Sequence, residues 1–112
     1  MNSTLPPRSS IPAVERSARS RLAQLIHQRR FLRGTLSVRS RQCGKPNCRC
    51  ARGQPHTSLY LVQSHGGKPR QVFVPKSWED RIRAAVADYQ QMQRLIEELS
   101  EREWRRLMER EE

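Results

Sequence analysis

Cys43, Cys48, Cys50 and His56 form the one dense constellation of reactive side chains, spaced C-x4-C-x-C-x5-H. Tetrahedral zinc takes four nitrogen or sulfur ligands close together, and Cys3His is a common structural set. Three cysteines cannot all pair within one chain, which favours a metal over disulfides. The spacing therefore predicts one zinc ion held by Cys43, Cys48, Cys50 and His56, with His65 or His27 as alternative sources of the fourth ligand. The filler suits a loop folded over a metal. Gly44 and Asn47 tolerate left-handed backbone, and Pro46 and Pro55 lower the entropy of the open loop. Arg41, Lys45, Arg49 and Arg52 flank the thiols, where cations favour the thiolate form.

A filled four-ligand site leaves no position for a reacting water, so the expected role of this knuckle is structural. The chain carries no Walker loop, dinucleotide fingerprint, HExxH or GxSxG sequence. The pairs Glu79–Asp80 and Glu97–Glu98 have basic neighbours and read as solvated helix faces. The expectation is a binding protein and not an enzyme.

Charge indicates what would be bound. Across 112 residues, 22 Lys and Arg stand against 11 Asp and Glu, a net +11. Residues 1–56 hold 12 basic and 1 acidic residue, 57–76 hold 3 basic and none acidic, and 77–112 hold 7 basic and 10 acidic. The excess thus lies in the front half, beside the cysteines, where it attracts polyanions, of which nucleic acid is the usual intracellular one. At 35% hydrophobic and 5% aromatic residues, a large ligand-enclosing cavity is not expected. No apolar run approaches the ~20 residues that span a bilayer, and the first residues lack a secretory apolar core. The expected location is the cytoplasm, with the nucleoid and without a membrane partner.

These residues need elements to position them. Residues 1–12, rich in Ser and Pro, read as a disordered tail, and 13–112 as a single domain. Val14, Ala18, Leu22, Leu25 and Ile26 recur at helical spacing, and Gly34 fits a helix C-cap. Residues 35–41 alternate as a strand with Leu36 and Val38 inward. Residues 57–63 and 71–74 read as two further strands, joined through Gly66-Gly67, which supply the positive φ of a tight hairpin. Ser77 looks like an N-cap with Asp80 as its capping-box partner. A helix then runs from Trp78 to about Arg110, its stripe Trp78, Ile82, Ala85, Val86, Tyr89, Met92, Ile96 and Leu99 thinning toward Trp104 and Leu107. So long a helix outruns the small core, and its far end must meet the first helix, another subunit or solvent. The predicted class is α+β: an N-terminal helix, a small three-stranded antiparallel sheet with a zinc knuckle, and a long C-terminal helix.

The string LRGTL, then RQCGKPNCRCARG and His56, then LYLV, GGKPRQVFVPK and a helix, resembles a family of short bacterial proteins of unknown function. These have a CGKPNCRCA-type knuckle, a β-hairpin and a long C-terminal helix. The resemblance covers roughly Leu32 to Leu99, with Cys43, Cys48 and Cys50 matching directly. Where the family commonly has His-Gly-Pro-Tyr, this chain has His56-Thr57-Ser58-Leu59-Tyr60. Genes of such proteins frequently lie with transposases and other mobile elements, which implies that setting and a transposase or recombinase as partner. A hairpin ending in Val-Pro-Lys before a helix also looks like the arm-type DNA-binding domains of tyrosine recombinases.

The sequence thus leads to a zinc-stabilised nucleic-acid-binding accessory protein of a mobile element. Its expected phosphate contacts are Arg33, Arg39, Arg41, Lys45, Arg49, Arg52, Lys68 and Arg70. DNA is favoured over RNA, and duplex over single strand, because Tyr60 and Phe73 are expected to pack in the core rather than stack on bases. The rival expectation is a protein-interaction or homodimerising module that uses Met92, Leu95, Ile96, Leu99, Trp104 and Leu107 of the long helix.

Overall fold

The computed structural model describes residues 11–41, 44–49, 53 and 56–110. In chain order it has helix α1 (Ala13–Gln28), strands β1 (Thr35–Arg41), β2 (His56–His65) and β3 (Lys68–Val74), a 3-10 turn at Lys76–Trp78 and helix α2 (Glu79–Met108). The α+β class is as the sequence predicts. The chain divides into two compact units, one of Met1–Arg30 with Asp88–Glu112 and one of Phe31–Ala87. Among the described residues, no helix is long and apolar enough to cross a membrane.

In the first unit, Pro12 sets the entry of α1 and its carbonyl accepts from the Arg16 N–H at 2.9 Å. Glu15 in the first turn suits the positive end of the helix dipole. The buried face is Glu15, Ala18 and Leu25, with Leu22 half-buried, a rotation away from the expected stripe that leaves Val14 and Ile26 exposed. The C-terminal part of α2 runs antiparallel to α1, as three polar links show. Arg29 donates to Asp88 at 2.8 Å, Arg21 to Gln91 at 3.5 Å, and Arg106 to Glu15 at 2.6 Å. Met92 is the buried apolar residue of α2 here, with Leu95 and Leu99 half-buried.

Gly34 does not cap α1. The helix ends at Gln28, and extended Arg29 closes it through an N–H to the Leu25 carbonyl. Gly34 belongs to the second unit, where a Cβ would lie 2.7 Å from Leu61 Cδ1 and 3.0 Å from the Val62 carbonyl oxygen. It is glycine because the neighbouring strand is close.

The second unit holds the sheet, with order β1-β2-β3 and both pairings antiparallel. Gly66 and Gly67, at φ 59° and 78°, make the hairpin turn between β2 and β3. Leu59 and Val74 pair across β2 and β3 and are buried, as are Ala85 and Val86 in the first turns of α2. The Leu32 N–H donates to the Ala85 carbonyl at 3.1 Å. Val38, expected inward, pairs with Leu59 on the buried face of the sheet but is 60% exposed there. Ser77 lies in the 3-10 turn, which the Trp78 N–H closes onto the Pro75 carbonyl, so α2 begins at Glu79 rather than at a Ser77 cap.

Candidate nucleic-acid interface

Pairing decides which side chains share a face, since side chains alternate along each strand and paired residues point the same way. Leu36, Leu59, Leu61, Val72 and Val74 fall on one face. Ser37, Arg39, Arg41, His56, Tyr60, Val62, Gln71 and Phe73 fall on the other. Tyr60 pairs directly with Phe73, and their rings meet edge-on with centroids 5.8 Å apart. Arg39 reaches from β1 across the middle strand. Its guanidinium lies 4.2 Å from the centroid of the Tyr60 ring and donates to Gln71 Oε1 on β3 at 2.6 Å. Phe73 is 51% exposed. The two aromatics therefore do not fill the core as expected. The buried pair Leu59–Val74 takes the other face, and strict alternation sends Tyr60 and Phe73 outward.

Of the eight cations expected to meet phosphate, Arg52 lies outside the described residues, and the other seven are exposed. They do not form one patch. Arg39 and Arg41 share the aromatic face, with Arg41 paired to His56 at the end of the sheet where the knuckle joins. Lys45 opens a turn in which Pro46 sets the bend and the Cys48 N–H returns to the Lys45 carbonyl at 3.2 Å. Arg49 follows in the same loop. Lys68 and Arg70 sit on the opposite face beside the hairpin. Arg70 donates to Gln63 Oε1 at 2.7 Å, and Arg33 holds the Ser64 carbonyl at 2.8 Å.

The knuckle requires a correction. Cys48 Sγ and His56 Nε2 lie 3.0 Å apart, so two of the expected metal ligands do meet. Cys43 and Cys50 lie outside the described residues. Among the described residues, no group of three or more His, Cys, Asp or Glu side chains could hold a metal ion. The expected zinc is therefore not supported: the donors brought together among the described residues are a pair, short of the four ligands of a tetrahedral site. The alternative fourth ligand His65 does not complete it. His65 stands at the far end of the ten-residue β2, about 30 Å from His56 at the usual strand rise. Gly44 has the expected positive φ of 80°, whereas Asn47 does not.

Fold and site together define a small α+β protein, helix–sheet–helix in chain order, with a basic sheet bearing an exposed aromatic face. The chain belongs to the DUF6788 family, a domain of unknown function, whose model matches residues 12–84. That span takes in α1, the whole sheet and the start of α2, in keeping with the resemblance to an uncharacterised family. No curated protein matches the chain, and no solved structure does.

Proposed function

We propose that this chain is a nucleic-acid-binding accessory protein that holds polynucleotide phosphates through the cations of its sheet unit. One observation carries the reading. Residues 31–78 contain nine Lys and Arg and no Asp or Glu, so the sheet and its loops attract a phosphate backbone with no carboxylate of their own to oppose it. The role is binding rather than catalysis, with DNA preferred to RNA. The resemblance to proteins encoded beside transposases supplies the proposed setting: a mobile element, in the cytoplasm with the nucleoid, and a transposase or recombinase as protein partner.

The test is a salt series of binding isotherms with full-length protein and unrelated DNA duplexes. Contact with five or six phosphates gives a log–log slope near −5, at roughly −0.9 per phosphate. Replacing Arg41, Lys45, Arg49 and Arg52 by Gln flattens the slope by roughly 0.9 for each phosphate that is no longer neutralised. Equal slopes for the two proteins reject the reading.

A second reading rests on α2, where Trp104 is 60%, Leu107 56% and Met108 74% exposed. Here the helix docks on a recombinase or on a second copy of this chain. Partner capture that survives nuclease and is lost on Trp104→Ser with Leu107→Ser supports it.

A further inference from the structure

The cations account for attraction to any polyanion, but they leave the aromatic face of the sheet without a use. An exposed phenylalanine beside a tyrosine on neighbouring strands stands out among the Arg, Ser and Gln of this face, on which Val62 is half-buried. We propose that the face formed by Arg39, Tyr60 and Phe73 stacks unpaired nucleic-acid bases, so that the preferred ligand is single-stranded. This rests on the nucleic-acid reading above and names its substrate.

Three features of the geometry support it. Phe73 offers an apolar ring at 51% exposure on β3, an edge strand. Such a ring can receive a base whose faces are not already covered by neighbours in a duplex. Arg39 offers a second flat surface. Its guanidinium lies 4.2 Å from the Tyr60 ring centroid and is held by the 2.6 Å hydrogen bond to Gln71, so the group is in position before any ligand arrives. Guanidinium planes stack on bases as aromatic rings do, while their charge serves a phosphate. Arg41, exposed on the same face, supplies a further cation on the knuckle side. The three strands hold these groups at the fixed spacing of about 4.8 Å per strand. The platform is therefore rigid and costs little ordering on binding.

The opposed occupants are a duplex, which would meet the cations alone, and an apolar protein segment, which would meet the rings alone. Full-length protein is titrated with thymidine and uridine 12-mers and with a 12-base-pair duplex, for wild type, Phe73→Ala, Phe73→Tyr and Arg39→Lys. Stacking predicts that Phe73→Ala weakens both single strands about tenfold while duplex affinity stays within about twofold. Phe73→Tyr restores the affinity. Arg39→Lys keeps the charge and the salt slope but loses several-fold on single strands, because an ammonium cannot stack. Circular dichroism confirms that each variant is folded. If Phe73→Ala leaves single-strand affinity unchanged while the basic-to-Gln variant loses it, the stacking face is rejected and the phosphate reading stands. If no nucleic acid binds, both fail.

Discussion

Glu15, 2% exposed, accepts a 2.6 Å hydrogen bond from the guanidinium of Arg106, 91 positions further along the chain. The other terminal nitrogen of Arg106 donates to the second carboxylate oxygen at 3.2 Å and to Glu103 at 2.9 Å. This pairing ties the far end of α2 to the start of α1, where the apolar stripe of α2 has run out. Burying a carboxylate is tolerable only with such partners, and removing one partner leaves the other stranded. Glu15→Ala and Arg106→Ala should therefore each lower the melting temperature. The double variant should lose less than the sum of the two. A double-mutant cycle by calorimetry checks this, and strict additivity would mean the pair does not couple.

The same contact sets a pH dependence. Hydrogen bonding from Arg106, reinforced by the charges of Arg106, Arg19 and Arg102, holds the Glu15 carboxyl below its ordinary value of 4.5, against the opposing effect of burial. The unfolded chain thus takes up this proton more readily than the folded one. The stabilisation is fully present above pH 4.5 and is lost as pH falls through the lowered folded value. Melting curves of wild type and Glu15→Gln should differ most near neutrality and converge in acid. A constant gap down to pH 3 would contradict the ion pair.

Gly34 gives a prediction about the sheet. A methyl group there would meet Leu61 Cδ1, which can turn away, and the Val62 carbonyl oxygen, which cannot. Gly34→Ala should cost about 1–3 kcal/mol, the usual range for overpacking, measured by denaturant titration. A neutral result would show that β1 shifts freely against β2.

How far the sequence reveals this structure depends on the pattern in each segment. Residues 35–41 alternate cleanly, and β1 has those bounds. Gly66-Gly67 specifies its hairpin by φ alone. Where apolar residues run together, period two is silent: Leu59-Tyr60-Leu61-Val62 and Val72-Phe73-Val74 fit the core by either face, and only the pairing register puts Leu59 and Val74 inside and the rings outside. In α1, spacings of three and four fit two adjacent faces, and the partner helix selects the one with Glu15. A signal was present, since Glu15 is the single acidic residue among the first 56. At the knuckle, spacing counts donors but does not place them, and among the described residues Cys48 and His56 meet.

Leu25 is fully buried, at 0% exposure, whereas Ile26 beside it is 50% exposed. Leu25→Ala should cost about 2–5 kcal/mol through lost burial and a cavity, and Ile26→Ala should stay well under that. Chemical denaturation of the two variants checks the facing of α1. Similar losses for both would return the helix to the rotation expected from the sequence.

The last prediction separates the two groups of cations. Arg39 and Arg41 share the aromatic face, while Lys68 and Arg70 lie on the other face of the same sheet. Arg70 is further committed to Gln63. A single strand lying over Tyr60 and Phe73 can place its phosphates near the first pair but not the second. On a thymidine 12-mer, Arg39→Gln with Arg41→Gln should flatten the log–log salt slope by about 1.4, at roughly 0.7 per phosphate contact on single strands. Lys68→Gln with Arg70→Gln, which removes the same formal charge, should leave the slope nearly unchanged and shift affinity only through the general field. Isotherms from low to moderate salt for the two double variants decide the matter. Equal flattening by both would mean that the protein is held by its net charge and that neither face of the sheet is the binding surface.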